Sequence, residues 1–306
     1  MTPTGPGVLR SRWIHRLYDR TFRVVGLAVV CISLAAVFAM LGDIVADGLP
    51  RLDWGFLTSY PSRKPERAGI LAASAGTLWL MALTTLIALP LGIAAAIYLE
   101  EYARKNSLTA FVEINIANLA GVPSIIYGLL GLGLFVRWME LGRGLLAGAM
   151  TLALLVVPGI ILSTREALRA VPYTIREAAY ALGASRWQTI QHQVVPAAMP
   201  GILTGVILAL SRAAGETAPL VAVGAVTFIT FLPGSGFFDK WPALNLECLR
   251  DPFSALPIQI FNWVSRPQQA FGVNAAAAII VLLLVTFAMN GVAVWLRYHY
   301  RRQEEG

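Results

Sequence analysis

Six stretches, at approximately 24–45, 70–98, 112–136, 144–163, 201–230 and 274–296, are long and apolar enough to cross the hydrocarbon of a bilayer, which takes about 20 residues of helix. Inside hydrocarbon no water can satisfy a peptide group, so each such run must bond its own backbone as a helix. The fold class expected is therefore all-α integral membrane, with six transmembrane helices. Only 13% of the chain is charged and 57% is hydrophobic, where a soluble domain carries about a quarter charged residues. The net charge of +7 does not indicate nucleic-acid binding. The basic residues flank apolar runs instead of clustering with exposed aromatics on one face.

Orientation follows from those basic residues. Arg10, Arg12, Arg16, Arg20 and Arg23 precede the first run, as in the n-region of a signal peptide. The apolar part is longer than a typical h-region of about 7–15 residues, so an uncleaved first helix is expected. With the N-terminus cytoplasmic, Arg104, Lys105, Arg165, Arg169, Arg176, Arg186, Arg297, Arg301 and Arg302 also fall inside. Arg51, Arg63, Lys64, Arg67, Arg137, Arg143, Lys240, Arg250 and Arg266 fall outside. This positive-inside bias puts both termini in the cytoplasm. Residues 1–69 then comprise a cytoplasmic segment, the first span and an outer connection. Residues 70–297 form the main transmembrane domain and 298–306 a cytoplasmic tail. The long connections are 164–200 inside and 231–273 outside. No internal repeat of fixed period is visible, which counts against an inverted-repeat secondary transporter.

One run contains an expense. "SRAAGETAPL" (211–220) puts Arg212 and Glu216 inside 201–230, where two charges cost roughly 5–7 kcal/mol on insertion scales. The apolar residues around them return roughly 4–8 kcal/mol, so the segment only about breaks even. The two are four apart and expected on one helix face. They are either a structural ion pair between helices or a site.

The inner connection is built differently. In "PYTIREAAYALGASRWQTIQHQVVP" (172–196), Pro172 suits a first helical turn. Ile175, Ala178, Ala179 and Leu182 recur as one apolar face. Gly183 suits a left-handed helix closure, and Ser185 with Gln188 reads as a capping box for a second helix, ended by Val194, Val195 and Pro196. An amphipathic pair of this kind either lies on the membrane or docks on a partner.

Glu177-Ala178-Ala179, Gly183 and Pro196 resemble the coupling-loop signature of ABC importer permeases, with Gln193 and Val195 where that family usually has Ile and Leu. More narrowly, "GTLWLMALTTLIALPLGIAAAIYLEEYA" (76–103), "GVPSIIYGLLGL" (121–132), "GILTGVILALSRAAGETAPL" (201–220) and "FSALPIQIFNWVSRPQQAFGVNAAAA" (253–278) look like the PstA-type permeases of phosphate-specific importers, over about 70–297. The resemblance implies an inner-membrane permease subunit of an ATP-driven phosphate importer. Its partners would be a second, PstC-like permease, two copies of a PstB-like cytoplasmic ATPase and a PstS-like extracytoplasmic phosphate-binding protein. In that family the loop 172–196 sits in a groove of the ATPase. ATP and Mg would belong to the ATPase, with no cofactor on this chain.

The residues agree that this chain is no catalyst by itself. A nucleotide P-loop needs Gly-Lys-[Ser/Thr], and Lys64, Lys105 and Lys240 follow Arg63, Arg104 and Asp239. "GLLGLGLF" (128–135) reads as a close-packing stripe. Cys31, Cys248, His15, His192 and His299 have no metal-ligand spacing. Asn115, Asn118, Pro123, Ser124 and Tyr127 put polarity and a kink into the third run, where interhelical hydrogen bonding is favoured over pore lining. Ile258, Phe261 and Trp263 are left open between membrane surface and partner contact.

With phosphate as the implied substrate, the pathway reading of Arg212 and Glu216 gains a chemical basis. An Arg fork suits a tetrahedral oxyanion. A carboxylate accepts a hydrogen bond only from an anion that keeps a proton, which near neutral pH phosphate does and sulfate does not. Permeases for sulfate or molybdate, an ATPase-independent secondary transporter and, least favoured, a membrane enzyme are the alternatives.

Overall fold

The computed structural model describes residues 6–234 and 245–302. Lys240 and tail residues 303–306 lie outside the described residues. Helix α1 (Pro6–Gly48) leads through a 3-10 turn to α2 (Trp54–Thr58). The Asp53 carboxylate caps α2 by accepting the Phe56 amide at 2.9 Å. Helix α3 (Leu71–Ile97) ends in a π turn at Tyr98–Tyr102. Helix α4 (Ser107–Ala120) precedes α5 (Ser124–Gly131), which continues as a π segment over Leu132–Trp138. Next come α6 (Leu145–Ala170), α7 (Tyr173–Ala181) and α8 (Arg186–Thr189). A π turn at Ile190–Val194 joins α8 to α9 (Val195–Gly215). Helices α10 (Ala218–Val223), α11 (Leu256–Val264) and α12 (Gln269–Arg302) complete the chain. Among the described residues there is no strand.

Five helical stretches, Tyr18–Arg51, Leu71–Tyr102, Leu145–Ala170, Arg186–Gly215 and Gln269–Trp295, are long and apolar enough to span. The third run is different. It breaks at Gly121–Pro123, and its two helices meet at 105°. The expected kink is thus a full break, because Pro123 has no N–H to continue the α4 ladder. The Tyr127 hydroxyl spans the break by donating to the Leu119 carbonyl at 2.7 Å. Asn115 donates to Phe111 O in its own helix at 2.7 Å, not to a neighbouring helix.

Helices α3 and α6 form the axis of the bundle. Lipid tails are as apolar as leucine, so helices associate in a bilayer by close van der Waals packing of small residues. Ala88, Ala96, Ala149 and Ala153 are buried here. Gly92 lies so close to Ile160 that a Cβ would approach its Cγ2 to 2.6 Å. The Thr84 hydroxyl donates across the pair to Ala149 O at 3.3 Å. Pro90 and Pro158 sit inside these helices, where neighbouring protein compensates for the lost bonds. Helix α12 packs on α9 and α1, and Ser211 Oγ lies 2.5 Å from Asn290 Oδ1.

Three expectations need correcting. The fifth span ends at Gly215, not near 230, because the chain leaves helical geometry at Glu216 (ψ 121) and then meets Pro219. The returning α10 packs on α5, where a Cβ on Gly128 would come within 2.7 Å of Pro219 Cα. Next, Val194–Pro196 do not end the second helix of the inner connection. The π turn at Ile190–Val194 absorbs the proline, so one helix runs from Arg186 to Gly215. Finally, Ile258 and Trp263 are buried at 1% and 0% exposure in the protein's own core. Trp263 packs there with Phe56 and Phe271. Only Phe261 of that trio is exposed.

Candidate functional site

Arg212 occupies the last turn of α9 and Glu216 the position just past its end. A cation there complements the negative end of the helix dipole, and a carboxylate opposes it, so Arg212 compensates Glu216. The two meet as expected, through Arg212 Nε and Glu216 Oε1 at 3.3 Å. The contact is single and long, and the Arg212 side chain remains 58% exposed against 16% for Glu216. Nη1 and Nη2 of the fork make no hydrogen bond among the described residues. These charges therefore lie at the end of a helix, beside the turn into α10, and not on the middle of a continuous span.

Arg212 also borders a cavity of about 290 Å3 between α6 and α9. Ser163, Gly159 and Gly205 line its walls, with Ala120 at the break of the third run. Gly159 faces open space, where a Cβ would meet nothing within 4 Å, while Gly205 packs directly on the Ser163 side chain. The guanidinium fork thus borders the cavity beside the Glu216 carboxylate, near the break of the third run, while the Ser163 hydroxyl lies further along the same cavity opposite Gly205 and donates to Ile160 O at 3.2 Å. Such irregular backbone at membrane depth is tolerated where it is buried in protein or lines a polar cavity. The chemistry available is recognition of an oxyanion, not bond cleavage.

The second cluster is at the opposite end of α9, about 24 Å away along the helix from Pro196 to Arg212. Gly183 closes α7 with φ +84. Its amide donates to Tyr180 O at 2.9 Å, and the Ala184 amide to Ala179 O at 3.1 Å. Ser185 and Gln188 form the capping box, with Ser185 N donating to Gln188 Oε1 at 2.8 Å. The apolar face differs from expectation. Leu182 is 91% exposed and Ala178 is exposed, while Arg176 is buried with Ile175 and Ala179 partly so. Glu177 and Pro196 are exposed. Tyr173 at the start of α7, and Leu182 and Trp187 on either side of Gly183, are exposed.

Sequence reasoning missed what holds this segment. Arg176 Nη2 donates to Glu101 Oε1 at 2.6 Å and to Leu168 O at 3.1 Å, while Nη1 donates to Val171 O at 3.0 Å. The side chains of the ion pair are 9% and 8% exposed. Beside it, Glu100 accepts from Arg165 Nε at 3.3 Å and Arg169 Nε at 2.8 Å. Arg165 Nη2 reaches Glu113 of α4 at 2.6 Å. As sequence, these arginines signal only topology. Their carboxylate partners lie dozens of positions away and can be found only from the fold.

Known proteins resemble this chain over most of its length. Residues 88–302 match the family described as Binding-protein-dependent transport system inner membrane component. The chain is 34% identical to the phosphate transport system permease protein PstA of Yersinia pestis, over 93% of this chain and 91% of that one. It is 32% identical to phosphate transport system permease protein PstA 1 of Mycobacterium tuberculosis (strain CDC 1551 / Oshkosh), covering 97% and 94%. Among solved structures, a bacterial alginate ABC transporter in complex with an alginate pentasaccharide-bound periplasmic protein superposes with a TM-score of 0.61. That match has 15% identity and covers 92% of this chain and 95% of that one; it speaks to the fold alone.

Proposed function

The chain belongs to the family of binding-protein-dependent transport system inner membrane components, and on that footing we propose that it is the permease subunit of an ATP-driven importer of inorganic phosphate. It is a multi-pass inner-membrane protein and, like its family, a transport subunit with no catalysis of its own. A separate ATPase hydrolyses ATP, and an extracytoplasmic binding protein delivers the substrate. The finer assembly we infer is one PstC-like permease, two PstB-like ATPases binding ATP and Mg, and a PstS-like protein. The observation that carries the substrate is the free Arg212 fork beside Glu216, taken with likeness to two PstA proteins. Arg212 and Glu216 line the phosphate route, and Glu177, Ala178, Ala179, Gly183 and Pro196 belong to the ATPase-docking segment.

The deciding experiment reconstitutes the co-purified complex and supplies it with binding proteins loaded with phosphate, sulfate or molybdate. Phosphate-loaded binding protein is expected to stimulate ATP hydrolysis and uptake, and the other two are not. Stimulation by sulfate or molybdate instead would reassign the substrate, and uptake without any ATPase would return the chain to the secondary transporters.

Orientation has its own test. Both termini and the segment 172–196 belong on the cytoplasmic side, with 231–273 outside. Reporters fused after Ala170 and after Arg302 are expected to read as cytoplasmic, and one after Gly234 as external. An external signal after Ala170 would remove the docking segment from the ATPase altogether.

A further inference from the structure

We propose that Arg176 and Glu101 are the joint through which movement of the docking segment enters the spanning helices, with Arg176 as the positioning residue. This rests on the reading of 172–196 as the ATPase-docking segment. Helix α7 leaves α6 through Val171 and Pro172, both extended (ψ 123 and 137). The Val171 amide keeps only a 3.3 Å bond to Leu168 O, and Pro172 has no N–H to add another, so this extended pair acts as a hinge. A push on α7 would be lost there unless something bridges it.

The Arg176 guanidinium is that bridge. Its planar fork engages the last carbonyls of α6, at Leu168 and Val171, and the carboxylate of Glu101 at the same time. A lysine has three donors, but all on one nitrogen, and cannot reproduce the separate nitrogens of the planar fork that reach these acceptors. Burying such a pair is a poor way to gain stability, since apolar residues of similar volume do as well or better. Its geometry is what distinguishes it.

Glu101 lies in the π turn at Tyr98–Tyr102, an interruption that often marks a functional position. Three contacts meet on this turn from the docking segment. Arg176 holds the Glu101 carboxylate, Arg186 of α8 donates to the Glu101 carbonyl, and the Arg186 guanidinium sits 5.0 Å from the Tyr102 ring centroid. From the other side of the turn, Glu100 binds Arg165 and Arg169 of α6. Arg165 extends the chain of ion pairs to Glu113 on the broken third run. Consecutive carboxylates thus face two ways: Glu101 toward the docking helices, Glu100 toward α6 and α4.

The test uses the full complex of both permeases, ATPase and binding protein in proteoliposomes. It reads phosphate transported per ATP hydrolysed, together with ATPase retained on purification. Arg176→Lys is expected to keep the ATPase bound while phosphate per ATP falls about tenfold, the loss that follows from one charge-assisted hydrogen bond. Glu101→Gln, which keeps shape and one acceptor, is expected to lower the ratio in the same direction. It also covers the case in which the lysine variant fails to assemble. A wild-type ratio in whichever variants assemble would overturn the joint. So would loss of the ATPase from both variants, because the pair would then shape the docking surface instead of transmitting motion. Failure of the docking reading itself would show separately, as a wild-type preparation that purifies without an ATPase.

Discussion

Replacing Arg212 and Glu216 together by glutamine is expected to abolish phosphate uptake while the permease still assembles with its partners. The expectation turns on what the two charges are for. A buried ion pair that loses one member leaves the other stranded, at a cost of about 3–5 kcal/mol. That cost would appear as failed assembly in either single variant, and removing both partners would repair it. The geometry here is different. The two meet through one 3.3 Å contact, and the arginine is more than half exposed, a type of pair whose contribution is about 0–1 kcal/mol. Arg212→Gln and Glu216→Gln are therefore expected to assemble normally. Each removes a charge-assisted hydrogen bond of about 1.5–3 kcal/mol to the passing anion, which is roughly a ten- to hundredfold loss in uptake. Arg212→Lys keeps the charge but not the fork and should be impaired too. Uptake restored in the double variant would return the pair to a structural role.

Gly183→Val should separate the ATPase from the permease. At φ +84 the backbone is left-handed, which costs an L-residue about 1–2 kcal/mol and a β-branched one more. A Cβ at Gly183 would meet nothing within 4 Å, so the penalty is conformational and not a clash. The α7 closure relaxes toward a right-handed turn, the Ala184-to-Ala179 bond is lost, and α7 is re-aimed relative to the continuous helix that begins at Arg186. The permease is expected to insert and to keep its spans, since Gly183 lies outside them, but to lose the ATPase on gentle purification. Gly183→Asn, which tolerates the left-handed region, should keep most of the binding. Equal retention by valine and asparagine would show that the turn does not matter to docking.

How much of this could be read from sequence depends on the range of the signals. Hydropathy located the spanning helices because lipid imposes length and apolarity on each segment independently. The α7 closure and the capping box were legible because a glycine and a Ser-x-x-Gln act within a few residues. Where distant packing decides, the reading failed. The residues after Gly215 are apolar enough to prolong the span, yet Glu216, Thr217 and Pro219 turn the chain back onto α5. Pro196 reads as a helix end, but the π turn before it carries the helix through. Leu182 has the right spacing for a buried face and is exposed because Arg176, the position beside that face, is drawn inward by Glu101. Helix α11 holds Trp263 in the core by contact with Phe271 at the start of α12 and with Phe56, more than 200 positions away in sequence.

The broken third run has a consequence for assembly. Helix α4 buries none of its residues within this chain, although Glu113, Asn115 and Asn118 lie along it. Glu113 is met by Arg165 on the side toward α6 and Asn115 by Phe111 O in its own helix, so these groups find partners, and the rest of the helix surface is left for lipid or another protein to cover. A subunit made without its partners would hold that open face of α4 against lipid alone.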